Sequence, residues 1–275
     1  MSTIAVIFFS KDRPLQLDSA LRSFRFFCKD CADVSKYVIT LTTSDIFRKQ
    51  YKQVEIDNPD FIFVEETDII LQLLEIARPF DFVSFHCDDN IYIRSLCFAE
   101  AVKILADNDD ILTYSFRLAP CIVSSYNLCK SEIVPNFNTI SDMCLRYNWV
   151  ELPTSDFSYP LEFSASVYRC SQLLPAIDRD KVDTVASAES YLNSIRHQFS
   201  HLPFIACGTL PSMFTLTVNR VGANLNKFGI IHNYATDFLR DKFSNGYVIN
   251  IDKFKNIVPD AVHMELELEF ERTRK

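Results

Sequence analysis

Short apolar runs alternate with longer amphipathic stretches through the first 118 residues. IAVIFF, YVITLT, FIFV, FVSF and ILTYSF hold four to six residues each between polar or turn residues, and predict strands. The stretches between them follow the helical period. In PLQLDSALRSFRFFC, Pro14 suits a first helical position, while Leu17, Leu21, Phe24 and Cys28 share one face. Thr67 is placed to cap TDIILQLLEIAR, and Ser95 to cap SLCFAEAVKILAD, whose Leu96, Ala99, Val102 and Ala106 form a second stripe. Strands alternating with helices predict βαβ units on a largely parallel sheet flanked by helices, the α/β class.

The second half is less regular. PNFNTISDMCLRYNWVELPTSDFSYPLEFSASVYR mixes Pro, Asn and Ser with aromatics, as loops and short strands around a pocket do. ASAESYLNSIRHQF predicts a helix with Ala188, Leu192, Ile195 and Phe199 on one face. HMELELEFER sets Met264, Leu266, Leu268 and Phe270 against Glu265, Glu267, Glu269 and Glu271, the pattern of a strand with one wet face. We therefore expect one domain over residues 1–275 with a functional division near residue 118, and neither repeat nor linker.

Composition narrows the classes. The chain has 275 residues, 48% apolar and 23% charged, enough for a large core. No apolar run approaches the roughly 20 residues of a membrane helix, and IAVIFF follows Met1 too closely for a signal peptide, so the expected location is the cytoplasm. Nine cysteines in mostly apolar contexts fit reduced core thiols; Cys28 and Cys31 form the only C-x-x-C and have no second ligand pair at zinc spacing. A net charge of −8, with RTRK as the only basic run, argues against nucleic acid but leaves room for one small diphosphate.

Four glycines, at 208, 222, 229 and 246, leave no G-x-G-x-x-G, Walker loop or G-x-S-x-G elbow. His197 and His201 stand at i and i+4, but Gln198 replaces the glutamate of a helical zinc-protease motif, and histidines near a helix C-terminus are favoured by its dipole.

Two stretches remain. FDFVSFHCDDNIYI ends a predicted strand in Asp88, Asp89 and Asn90, where ligands settle on an open α/β sheet. Asp and Asn build turns there, and neighbouring carboxylates also hold Mg²⁺ or Mn²⁺ together with substrate phosphates. FFSKDRPLQL ends the first strand in Ser10, Lys11, Asp12 and Arg13 and enters a helix at Pro14. That loop is either a solvated helix start or a diphosphate site made of helix amides and two cations.

The Ser10–Ser23 segment, S-x-D-R-P-x-Q-L-x-x-x-L-x-S, resembles the start of nucleotide-sugar-dependent glycosyltransferases of the GT-A fold, especially bacterial members of glycosyltransferase family 2. Asp88-Asp89 resembles their D-x-D or D-D metal motif, although His86 stands where a first acid is usual. YPLEFSASVYR, TVNRVG and AVHMELELEF are similar to later parts of the same family. FSASVYR lacks an acid that related enzymes often carry.

The resemblance implies a GT-A, Rossmann-like, mixed but mostly parallel sheet, with residues 1–118 binding donor and 119–275 forming an acceptor-side region. It implies a metal-dependent, inverting hexosyltransferase that uses Mn²⁺ or Mg²⁺ and a nucleoside diphosphate sugar, with a saccharide or lipid-linked saccharide as acceptor. Bacterial polysaccharide or glycoconjugate synthesis, in the cytoplasm or peripherally at the inner membrane face, would be the setting. Phe9, Ser10, Lys11, Asp12, Arg13, Asp45, Asp88 and Arg220 then bind the nucleotide sugar. Asp88, Asp89 and His263 hold the metal, and Glu189, expected in a first helical turn, or Asp183 serves as base. Two alternatives stand beside this reading: a nucleotidyltransferase, disfavoured by the missing glycine-rich loop, and a noncatalytic nucleotide- or sugar-binding protein of the same fold.

Overall fold

A computed structural model describes residues 2–221 and 227–272. Gly222 and the last three residues of RTRK lie outside the described residues. In the first half the strands are β1 (Ile4–Lys11), β2 (Ser35–Leu41), β3 (Ile62–Glu65), β4 (Phe82–Cys87), β5 (Asn90–Tyr92) and β6 (Ile111–Ser115). Then come β7 (Ser124–Ser125), β8 (Lys130–Ser131), β9 (Asn138–Ser141), β10 (Cys144–Asn148) and β11 (Ser166–Arg169). The last are β12 (Phe204–Gly208), β13 (Met213–Leu216), β14 (Tyr247–Ile249), β15 (His263–Met264) and β16 (Phe270–Arg272). The helices are α1 (Pro14–Phe27), α2 (Asp45–Asp57), α3 (Ile69–Ala77), α4 (Phe98–Asp107), α5 (Cys170–Leu173), α6 (Val185–Ser194) and α7 (Thr236–Ser244).

The strands predicted from the five apolar runs are β1, β2, β3, β4 and β6. They join a nine-stranded sheet in the order β3-β2-β1-β4-β11-β6-β12-β10-β9. Only β11 and β10 run against the rest, so the sheet is mixed and mostly parallel. Side chains alternate across β1: Ile4, Val6 and Phe8 enter one core with Leu17, Leu21 and Phe24 of α1, and Ala5, Ile7 and Phe9 enter the other with Leu73 of α3 and Leu192 of α6. Burial on both faces explains the unbroken apolar runs.

Several local expectations need correction. Asp68, not Thr67, caps α3, its carboxylate accepting from the Leu71 amide at 2.9 Å. Helix α4 begins at Phe98, not after Ser95, and buries Phe98, Ala101, Val102 and Leu105 while Ala99 and Ala106 are exposed. The phenylalanine has far more apolar area to remove from water than either alanine, and it sets the helix phase. The carboxylate of Asp30 satisfies the start of α4, accepting from the amides of Phe98 at 3.1 Å and Ala99 at 2.7 Å. Asp30→Ala is expected to cost about 1 kcal/mol and lower Tm by a few degrees, measured by thermal unfolding; an unchanged Tm would contradict this capping role.

The helix predicted to reach Phe199 ends at Ser194 and passes into a 3₁₀ turn over Arg196–Phe199. His197 and His201, both exposed, therefore do not share an α-helical face. The alternating C-terminal segment is not one strand: β15 and β16 are separated by an irregular stretch. Glu265 accounts for the break, since its carboxylate accepts from the amides of Ile231 at 2.6 Å and His232 at 2.7 Å instead of facing water.

Candidate active site

The parallel register of β1 and β4, Phe8 beside His86 and Phe9 beside Cys87, carries both strands to the same sheet edge. Asp88 follows directly, its amide donating to the Phe9 carbonyl at 3.1 Å. Ser10 Oγ donates to Asp88 Oδ2 at 2.7 Å and lies 2.6 Å from the hydroxyl of Tyr51 on α2. That tyrosine oxygen accepts from the Arg13 amide at 3.0 Å. The Arg13 guanidinium bridges the adjacent acids, bonding Asp88 Oδ1 and, at 3.0 Å, Asp89 Oδ2. Two neighbouring carboxylates are tolerated at a buried strand end because a cation sits between them.

The loop that delivers Arg13 turns without glycine. Asp12 adopts φ 51°, in the left-handed region that aspartate visits more readily than most residues. Its carboxylate is fastened by the Thr43 amide at 2.9 Å and the Thr43 hydroxyl at 2.7 Å. Asp12 thus ties the β1–α1 loop to the β2–α2 loop.

Burial pushes the Asp88 carboxyl up to about 6, Arg13 pulls it down and Asp89 raises it again. Burial by itself would lower Arg13, but the two acids outweigh it and keep the guanidinium charged. One oxygen of Asp89, Oδ1, is buried with no hydrogen-bond partner. An orphaned carboxylate oxygen beside a second acid, both hard donors, fits a divalent cation of the Mg²⁺ or Mn²⁺ type. Among the described residues no group of three or more His, Cys, Asp or Glu could hold an ion alone, so phosphate or water oxygens would have to complete its shell.

His86 is a core residue. Its ring lies between Ser84 Oγ at 2.8 Å and the Tyr92 hydroxyl at 2.5 Å, stacks on Phe8, and is held neutral by burial, which lowers it to about 3. Asn90 closes the turn, its Oδ1 accepting from the Cys87 amide at 2.8 Å. Asn90, Thr215 and His263 then stand side by side across β5, β13 and β15. His263 is buried, is lowered to about 3 chiefly by that burial, and meets Asn127 at 3.3 Å. The structure does not gather it with the two aspartates.

Other predicted residues divide similarly. Phe9 is buried against Phe85, and Lys11 is half-buried near Glu66, whose carboxyl burial raises and Lys11 only partly offsets. Asp45 is exposed at the first turn of α2 and pairs with Arg48 at 2.9 Å. The TVNR segment reaches α1, where Asn219 Oδ1 accepts from Gln16 at 3.0 Å. The next residue, Arg220, lies over the Phe228 ring at 4.6 Å.

Glu189 belongs to the second turn of α6, because Thr184 caps that helix and Ser187 completes the capping box. Its carboxylate accepts from the Tyr159 hydroxyl at 3.1 Å and the Phe163 amide at 2.8 Å. The Phe163 carbonyl in turn accepts from Cys87 Sγ at 3.6 Å, so one residue separates Glu189 from the end of β4. Burial first, and then the charge of Glu162, raise Glu189 above the ordinary carboxylate range. Asp183 is exposed and accepts from Ser187 Oγ at 3.0 Å.

Sequence reasoning missed Tyr51, Asn219 and the buried pair of Arg117 and Glu162, 3.4 Å apart. YPLEFSASVYR contains the one usable signal: Glu162 amid apolar residues needs a buried partner. Glu162 also accepts from the Ser164 amide and Ser166 hydroxyl, bracing the loop that carries Phe163.

No protein-family model matches the chain. A bifunctional glycosyltransferase, pgtA of Dictyostelium discoideum, is 25% identical over 186 residues, 62% of this chain and 24% of pgtA. The chain thus spans about a quarter of that relative. Among solved structures, residues 1–349 of S. aureus TarS in complex with UDP-GlcNAc superpose with a TM-score of 0.50 at 16% identity, covering 81% of this chain and 60% of that fragment. A mannosyltransferase of Pyrobaculum calidifontis, in complex with GDP-Man and Mn²⁺, gives 0.45 at 11% identity, covering 76% and 57%. The chain has the GT-A fold of nucleotide-sugar glycosyltransferases.

Proposed function

We propose that this chain transfers a hexosyl group, with inversion, from a nucleoside diphosphate sugar to a hydroxyl of a saccharide or lipid-linked saccharide, in polysaccharide or glycoconjugate synthesis. One observation carries the reading: Ser10, Arg13, Asp88 and Asp89 converge where β1 and β4 end, with Glu189 one residue away across Phe163. Asp88 and Asp89 are the residues that would hold Mn²⁺ or Mg²⁺, without the His263 expected from the sequence, and the bound ion would offset charge on the departing diphosphate.

Arg13, released from the carboxylates, pairs with the diphosphate, and Arg220 supplies a second cation. Phe9, Ser10 and Asp45 meet the nucleoside, with Lys11 and Asp12 shaping the loop beneath it. Glu189 accepts the acceptor's proton as the new glycosidic bond forms. Asp183 is the weaker candidate because it sits exposed at the helix start. Among the described residues no helix is long and apolar enough to cross a membrane; work on a lipid-linked acceptor would be peripheral, at the inner membrane face.

The test is a panel of nucleotide sugars with Mn²⁺, read by release of nucleoside diphosphate. Release from one donor, stimulated by an acceptor glycan, is expected. Tight donor binding without release would favour the second reading, a noncatalytic binder, which the Arg13 bridge across both carboxylates also suits.

The Glu189 environment predicts a pH dependence. Its raised pKa makes the protonated, inactive form persist above the ordinary carboxylate range, so kcat/KM rises as pH passes through that shifted value. The acid limb is expected in the parent and absent from the residual activity of Glu189→Gln; an identical limb in both would assign it elsewhere. For stability the sign is opposite: the folded state holds this proton more tightly than the unfolded chain, so the contribution of Glu189 declines as pH rises through its folded value.

A further inference from the structure

Cys28 follows the last residue of helix α1 and caps it, its amide donating to the Phe24 carbonyl at 2.8 Å. The chain then turns tightly, with the Asp33 amide donating to the Asp30 carbonyl at 2.9 Å and Cys28 Sγ donating to Asp30 Oδ1 at 3.4 Å, so that Cys28 and Cys31 share one turn. They differ in access. Cys28 is 7% exposed. Cys31 lines a surface cavity of about 580 Å³ with Lys36 and Asp60.

We propose that Cys28 and Cys31 form a thiol-modification site that reacts with low-molecular-weight disulfides and closes to an intramolecular disulfide. Cys31 is the attacking sulfur. The buried Lys36 ammonium bonds its carbonyl, and Arg25 and Lys36 both pair with Asp60 at the cavity rim. The neighbouring Cys28 thiol and these two cations outweigh burial and Asp60 and hold the Cys31 thiol below the ordinary cysteine value. Cys28 is the resolving sulfur, pushed far up by Cys31, burial and Asp30.

In the first step the Cys31 thiolate attacks one sulfur of the reagent, that S–S bond breaks, and one thiolate leaves. Cys28 then loses its proton to solvent and attacks the Cys31 sulfur, expelling the second thiol. The protein dithiol gives up two electrons and two protons, and the reagent disulfide is reduced to two thiols.

The probe is oxidised glutathione added to the reduced full chain near pH 7, followed by alkylation, proteolysis and peptide mass mapping. A Cys28–Cys31 link that dithiothreitol removes is expected. Cys28→Ser should trap glutathione on Cys31, and Cys31→Ser should prevent both products. The exposed Cys129, 2.6 Å from Lys227 Nζ, is the internal competitor. Glutathione on Cys129 alone, or no Cys28–Cys31 link, would overturn the proposal. In the unsubstituted chain, iodoacetamide alkylation of Cys31 should show a midpoint below the free-cysteine value of about 8.5. A rate still climbing through about 8.5, the free-cysteine value, would equally overturn it.

Discussion

Asp89→Asn is expected to fold as the parent does and to release nucleoside diphosphate about 10²- to 10³-fold more slowly, the usual cost of removing one preorganised electrostatic group. The choice of Asp89 follows from its bonding. Asp88 is fastened by Ser10, Arg13 and the Phe9 carbonyl, so changing it also disturbs the loop that carries Arg13. Asp89 shares only Arg13 through one oxygen and leaves the other unpartnered. Neutralising it leaves Arg13 and Asp88 as a one-to-one pair, which limits the structural penalty. Rates should be compared at saturating donor over a Mn²⁺ titration, with unfolding curves as control. Turnover within about threefold of the parent, against the expected electrostatic loss, would remove Asp89 from the cation site.

Glu189→Gln is expected to retain donor affinity and lose transfer by about 10²- to 10⁴-fold, the range for removing a general base. The amide keeps the shape of the side chain but turns an N–H₂ toward either Tyr159 or the Phe163 amide, both now donors to the carboxylate. That mismatch costs about 1–3 kcal/mol of stability, which unfolding measurements would register separately. Calorimetric titration with nucleoside diphosphate reports donor binding, and single-turnover transfer reports chemistry. Loss of both together would make Glu189 a brace for the Phe163 loop, not the base.

The strands and α1 were legible because burial on both faces of β1, β2 and β4 leaves little choice but continuous apolar runs. The edge at Ser10, Arg13, Asp88 and Asp89 was legible too, since charged residues at the ends of such runs have few ways to be satisfied. Contacts distant in sequence hid the rest. Asp30 caps a helix 68 residues later, displacing the local candidate Ser95. Glu265 matches a wet strand face by pattern, yet amides from residues 231 and 232 capture it and break the strand. β11 enters antiparallel between β4 and β6, a pairing that no periodicity encodes, and the loop before it carries Glu162 and Phe163 toward the site.

Co-crystallisation with Mn²⁺ and either UDP or GDP, with the anomalous signal of manganese located, decides whether the carboxyl edge of β1 and β4 is the donor site. A manganese peak is expected against an Asp89 oxygen at the carboxyl edge of β1 and β4, with the pyrophosphate beside it and Arg13 turned from the aspartates to the phosphates. A nucleotide bound at another face, with Arg13 still bridging Asp88 and Asp89, would contradict that placement.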